Sequence, residues 1–259
     1  MEVIECNQVF AEDSDDDDDW SFHHTKLILR NEHGQYFYTK SPQQLQRTSR
    51  IDLDSLELHA IPTEDIFPQY LESLVQVPKD LGSACFLKRP SLIYYDDDGE
   101  ESRKLGENVM KEVQICEILR QSPHQNVAEY LGCLVEDGRV RGLCFSRYPS
   151  TLRRYLSEQV EPLEISKCVD GIKKGMRHLH KLGLTHNDLN PDNIMVKNGE
   201  PVIIDFDSCV REGEPLGFKA GTEGWALRGA VVGRRENDLY SLQKIETFLI
   251  QLQGNQPDV

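Results

Sequence analysis

The period of apolar and polar positions changes along the chain, and each change predicts an element. Residues 26–30 (Lys-Leu-Ile-Leu-Arg) and 35–38 (Gln-Tyr-Phe-Tyr) are strand-like runs. They flank Asn31-Glu32-His33-Gly34, whose turn chemistry predicts a hairpin. Residues 41–50 are polar with few apolar positions and read as a linker, so residues 1–60 form an extension carrying one hairpin. A main domain begins near residue 65. Residues 83–95 are strand-like with a break at Pro90. Val109, Val113, Cys116 and Leu119 are spaced by 4, 3 and 3 and describe one face of a helix over 106–121. Strands around 130–135 and 140–145 follow, joined by a turn containing Asp137-Gly138. From about residue 150 the period is helical. Ile165, Cys168, Val169, Ile172, Met176 and Leu179 predict a long amphipathic helix that stops at Gly183. Strands, a helix, strands and then, from about residue 150, helix-dominated sequence predict an α+β fold of two lobes.

Charge narrows the function classes. Lys and Arg total 29 against 44 Asp and Glu, a net charge of -15. A field of that sign repels phosphate backbones and anionic lipid surfaces, so neither nucleic acid nor membrane is expected as a partner. No stretch reaches the ~20 apolar residues of a membrane span, and the first residues lack a secretory signal. The acidic run over 11–20 reads as a solvated loop or tail, with docking of a basic partner as the alternative, and 96–101 as an exposed acidic loop. Seven cysteines without a C-x-x-C pair predict reduced, mostly buried thiols in an intracellular protein of the cytoplasm or nucleus. His23, His24 and His33 lack ligand spacing for a zinc site. On the long helix His178 is expected to be solvated and His180 partly packed. His186 is expected to pack and hydrogen-bond.

The chemistry concentrates after that helix. One loop offers Asp188 and Asn193, and twelve residues later an apolar run, 202–204, delivers Asp205. Asn and Asp oxygens suit Mg²⁺, which bridges substrate phosphates, and Asp188 can orient or deprotonate a hydroxyl. A base and a metal clamp are what phosphoryl transfer needs.

His186-x-Asp188-x-x-x-x-Asn193 followed by Asp205-Phe206 resembles the catalytic and metal-binding loops of the protein-kinase superfamily. Gly221-Thr-Glu-Gly-Trp225 resembles the end of an activation segment. Residues 238–242 resemble the start of the central C-lobe helix, whose Asp steadies the catalytic loop. The likeness covers about residues 75–250. It implies a β-rich N-lobe and hinge over 61–148 and a short, mostly helical C-lobe over 149–259, with ATP and Mg²⁺ as ligands. It also implies site roles. Asp188 is the base, Asn193 and Asp205 hold the metal, and Lys88 contacts the α/β-phosphates. Glu112, with Glu117 as its rival, pairs with Lys88. Phe145 is the gatekeeper before a hinge that includes Ser146 and Tyr148.

Departures from the pattern are also visible. No G-x-G-x-x-G precedes Lys88, Asn187 replaces the usual Arg, and Asn190 stands where a Lys often meets the γ-phosphate. Asp207 replaces Gly and could add a third metal-facing carboxylate. Residues 226–229 replace Ala-Pro-Glu. The Asn187 and Asp207 variants are similar to those of choline kinases and aminoglycoside phosphotransferases, and the whole pattern resembles a group of short fungal kinase-like proteins. The expected function is Mg·ATP-dependent phosphorylation of a Ser/Thr hydroxyl on a protein. A pseudokinase that binds or scaffolds a partner and a small-molecule kinase are the alternatives.

Overall fold

The computed structural model describes the chain apart from residues 13–19, 48–50, 53–55, 79, 81, 96–103, 159–161, 218–220 and 255–259. The acidic stretches, Lys79 and Leu81 ahead of Lys88, and the end of the expected linker therefore lie, wholly or largely, outside the described residues. The fold is mixed α+β, with sheets in the N-terminal part and helices in the C-terminal part. It comprises two compact units, Met1–Pro68 with Arg89–Glu107, and Gln69–Lys88 with Asn108–Val259.

In the first unit β1 (Glu2–Glu12), β2 (Trp20–Arg30), β3 (Tyr36–Ser41) and β4 (His59–Ile61) form an antiparallel sheet in that order. The β2–β3 turn closes because Asn31 Oδ1 accepts the N–H groups of His33 and Gln35, and Gly34 takes φ +78. Ile28, Tyr36, Tyr38 and Ile61 pack with Ile66 of the short helix α1 (Thr63–Ile66), Phe67, Leu92 and Tyr95. Two local expectations are corrected here. Residues 91–95 are not a strand. They form a turn, Tyr95 N–H to Leu92 carbonyl, that lends Leu92 and Tyr95 to this core, anchored by Ser91 Oγ and Leu92 N–H donating to Glu5. Residues 41–45 are not a loose linker. Thr25 Oγ1 donates to the Gln43 carbonyl and accepts the Leu45 N–H.

In the second unit β5 (Cys85–Lys88) is an edge of a three-stranded sheet, β5-β7-β6, with β6 (Tyr130–Glu136) and β7 (Arg139–Ser146). Helix α2 (Leu105–Gln121), which belongs to this unit from Asn108 on, turns Val109, Val113, Cys116 and Leu119 into the core, as their spacing predicts. After β7 come β8 (Ser150–Thr151), α3 (Leu152–Ser157), capped by Thr151, and α4 (Ile165–Lys181). The face of α4 with Cys168, Ile172, Met176 and Leu179 is buried. Gly171 and Gly175 let α4 approach its neighbours. A Cβ at either would lie 2.5 Å from Pro201 or from the Asn126 carbonyl.

Past Gly183 (φ +72) the chain enters β9 (Leu184–Thr185), the 186–193 loop, β10 (Ile194–Lys197), β11 (Glu200–Ile203), β12 (Val210–Arg211) and α5 (Arg235–Gly254). β10 and β11 form a hairpin whose Asn198-Gly199 turn has φ +53 and +76. That hairpin fixes the distance between the 186–193 loop and Asp205. His178, expected in solvent, instead stacks on His124 with centroids 4.8 Å apart and bonds the Ser122 carbonyl at 2.7 Å. The seven cysteines are thiols, five of them buried. Among the described residues no helix is long and apolar enough to cross a membrane.

Candidate active site

The 186–193 loop is built around one buried carboxylate. Asp238, in the first turn of α5, is fully buried and accepts the N–H groups of His186 (3.0 Å) and Asn187 (2.7 Å) and a bond from His180 Nε2 (2.8 Å). A buried carboxylate is tolerated because three donors replace its water. Asn187 sits at φ +65. Its Nδ2 donates to the carbonyls of Thr185 and Ser208, while its Oδ1 accepts from Asn237. This side-chain network offsets the backbone strain. His186 is buried, as expected. Its Nδ1 accepts the Asp188 N–H, so its Nε2 carries the proton and donates to the Ile204 carbonyl at 3.0 Å.

That scaffold presents Asp188. Oδ1 accepts the Thr222 N–H (2.7 Å) and Asn190 Nδ2 (3.1 Å), and Oδ2 accepts Asn193 Nδ2 (3.0 Å). Both lone pairs of Oδ1 are thereby engaged, while Oδ2 keeps one that these bonds do not use. Asn190 bonds its own loop. Its amide meets Asp188 and Thr222, and its carbonyl accepts the N–H groups of Asp192 and Asn193. Asn193 also donates to the Asp188 carbonyl at 2.9 Å, and its own carbonyl accepts the Ile204 N–H at 3.0 Å. That backbone bond ties Asn193 to the residue just before Asp205.

Asp205, a non-glycine residue at φ +65, directs Oδ1 at Lys88 Nζ, 2.5 Å away. The same ammonium meets Glu112 Oε1 at 2.6 Å. Glu112 is thus the helix partner of Lys88. Glu117 bonds the Val75 N–H and Arg120 instead. Asp207 accepts from Ser208 Oγ and lies close enough for its charge to act on both Lys88 and Glu112. Burial opposes the Lys88 charge, but Glu112, Asp205 and Asp207 outweigh it and lift the lysine above its ordinary value. Burial raises the Glu112 carboxyl, and Lys88 holds that rise back.

The donor set fits Mg²⁺. Asn193 uses only its amide N–H groups toward Asp188, so its oxygen is available. Asp205 gives one oxygen to Lys88 and is a third exposed. Two hard oxygen ligands, with phosphate and water completing the shell, is the usual protein share for this ion.

At the other wall Phe145 is buried between Tyr130 (5.5 Å) and Phe206 (6.4 Å). Ser146 and Tyr148 both engage Glu129, through Ser146 N–H and Oγ and through the Tyr148 hydroxyl accepting the Glu129 N–H. Sequence reasoning missed Thr222, Asn237 and Arg147. Thr222 and Asn237 lie within or beside motifs that pointed to other residues. Arg147 lies inside the 143–148 hinge segment, where Phe145, Ser146 and Tyr148 were singled out instead, and its N–H bonds the Ala84 carbonyl.

Gly221 holds Thr222 in place. At φ +94 a Cβ would lie 2.6 Å from Ala226 Cβ and 2.7 Å from the Asn187 carbonyl. Gly221→Ala is expected to destabilise the chain by about 1–3 kcal/mol and to lower turnover, read by thermal melting and by rate.

Comparison with known proteins places these features in a family. The protein kinase domain family matches residues 93–226, just over half of the sequence, and the chain belongs to it. It is similar to the serine/threonine-protein kinase Tao of Drosophila melanogaster, 28% identical over 142 residues, 53% of this chain and 13% of that protein. It is similar to the serine/threonine-protein kinase/endoribonuclease ire-1 of Caenorhabditis elegans, 27% identical over 205 residues, 68% of this chain and 21% of that one. The human dual specificity testis-specific protein kinase 1 is 31% identical over 170 residues, 58% of this chain and 26% of its own. The chain thus spans about a quarter or less of the length of these relatives.

Proposed function

We propose that this chain transfers the γ-phosphoryl group of Mg·ATP to a Ser or Thr hydroxyl of a protein, in an intracellular compartment. The observation that carries the reading is the meeting of Lys88, Glu112 and Asp205 at 2.5–2.6 Å beside the Asp188–Asn193 pair. Like charges gather at such spacing only around a cation, and the cluster combines a fixed ammonium, a metal-type oxygen pair and a poised carboxylate. The names of the similar proteins agree with this class.

In the mechanism Asn193 and Asp205 hold Mg²⁺, which when bound neutralises charge on the phosphates. Lys88, fixed by Glu112, binds phosphate oxygens. Asp188 Oδ2, with its remaining lone pair, orients the acceptor hydroxyl and takes its proton. Thr222 and Asn190 prevent the carboxylate from rotating away. Positioning and charge stabilisation account for most of the catalysis in this class of reaction.

Melting with ATP, with and without Mg²⁺, tests the nucleotide site. At about 100 times Kd, Mg·ATP is expected to stabilise the wild type by about 2.7 kcal/mol, and Asp205→Asn removes the Mg²⁺-dependent part. No shift at millimolar nucleotide overturns the reading. A nucleotide-binding module without turnover is the second reading. It is favoured by Asn190, whose amide places no positive charge near the transferring group. Turnover separates the two.

A further inference from the structure

α4 and α5 run antiparallel. His180 meets Asp238 near one end of the pair, and Lys173 meets Glu246 at 2.6 Å further along. Beyond that ion pair the helices leave an open groove of about 420 Å³. Glu164, Ile165, Ser166 and Val169 line it from the N-terminal end of α4, and Glu246 and Ile250 from the C-terminal part of α5. The volume lies in the range of ligand sites. Val169 is buried and Ile165 half-buried, while Ile250 is 63% exposed. A single exposed apolar side chain on an outer surface is ordinary. This one lines a concavity.

The polar part of the lining is acidic. Glu246 Oε1 is buried against the Lys173 ammonium, and Oε2 has no partner among the described residues. Glu164 accepts one bond, from Ser166 Oγ at 3.4 Å, and its other oxygen is likewise unused among the described residues. None of the lining residues is basic. Unused carboxylate oxygens beside apolar side chains fit an alkyl stem that ends in a cation, which is the anatomy of a lysine side chain. The Lys173–Glu246 pair is an internal example of that contact. The net charge of -15 draws basic partners and repels acidic ones. An open ion pair contributes little by itself, so a lone amine gains little here. Apolar residues next to the lysine, covering Ile250, supply the rest, and an open groove lets their backbone pass across it.

We propose that the α4–α5 groove takes a lysine side chain and an adjoining apolar residue from a basic segment of a partner protein. The proposal is independent of the nucleotide site.

Calorimetric titration of the full chain with the acetylated, amidated peptide Leu-Lys-Leu-Lys-Leu tests this, beside Leu-Glu-Leu-Glu-Leu and hexamethylenediamine. The variants are Glu164→Gln and Ile250→Ser, both changes of exposed side chains. Glu236→Gln, at an exposed acid in the first turn of α5, is the control. The expected result is binding of the lysine peptide by the wild type and no binding of the glutamate peptide. Ile250→Ser lowers the affinity about tenfold and Glu164→Gln about two- to fivefold, with unchanged melting temperatures. Glu236→Gln keeps the wild-type affinity. Absence of lysine-peptide binding overturns the proposal, as does wild-type affinity in Ile250→Ser. So do equal losses in Glu164→Gln and Glu236→Gln, which mark attraction by net charge alone. Diamine binding as tight as that of the peptide also overturns it and leaves a free-amine site.

Discussion

Asp188→Asn lowers the rate of phosphoryl transfer by about 10²–10⁴-fold and leaves Mg·ATP affinity within about threefold. The carboxamide keeps an oxygen for the Thr222 N–H and Asn190 (2.7 and 3.1 Å in the wild type). Its nitrogen cannot accept from Asn193, but Asn193 retains its bond to the residue 188 carbonyl (2.9 Å), so its metal-facing oxygen is preserved. What is lost is the lone pair of Oδ2 that receives the hydroxyl proton. Single-turnover rates at saturating Mg·ATP, beside the nucleotide Kd, separate these effects. A variant with wild-type rate would remove Asp188 from proton transfer.

Lys88→Met is the second large effect. It leaves Glu112, 7% exposed, without a counter-ion and with Asp205 and Asp207 nearby. Breaking such a pair is expected to cost about 3 kcal/mol and to abolish measurable nucleotide binding. The pH dependence has a definite sign. In the wild type Lys88 is raised above its ordinary value, so its contribution is fully present at neutral pH and is lost only as the solution becomes alkaline enough to discharge it. In the variant the force holding Glu112 down is gone, and its carboxyl rises further. The folded state then binds more protons than the unfolded one. Stability falls as pH rises from about 4.3, the unfolded Glu value, through the raised folded value, and the deficit against wild type widens over that window. Glu112→Gln added to Lys88→Met recovers most of the loss. Urea unfolding of the single and double variants between pH 4 and 8 provides the check, and a deficit independent of pH would show that packing, not charge, links the two residues.

The sequence was legible where a short segment carries its own chemistry. Asp188, Asn193 and Asp205 are fixed by spacing within one loop and one hairpin, and the core face of α2 by its helical period. Its pairing with Lys88 took more. Choosing Glu112 over Glu117 depended on the register of α2 against β5, which local periodicity does not contain. Glu117 was an equally polar interruption of the same face and bonds Val75 and Arg120 instead. β1 was illegible because its pairing with β2 shifts at Val3/Glu5 and Val9/Phe10, which breaks the alternation that marks a strand. Residues 91–95 are apolar enough to read as a strand, yet they serve a core whose partners, Ile28 to Phe67, lie well before them in the sequence. Thr222 was missed as a contact for Asp188 because the bond is made by its backbone N–H, which every residue but proline possesses. Asn187, read as a departure from a pattern, is a buried hub with bonds to Thr185, Ser208 and Asn237. An Arg could not replace it without leaving those donors and acceptors unpaired.

The most direct test of phosphoryl transfer is production of ADP and of phosphorylated Ser/Thr peptides from ATP. It compares the wild type and Asp188→Asn, with Mg²⁺ and with chelator, in the presence of a mixed peptide pool. Mg²⁺-dependent transfer to hydroxyls by the wild type, reduced to background in the variant, is the predicted result. Tight Mg·ATP binding with no transfer above the variant would contradict it and leave the chain a nucleotide-binding module.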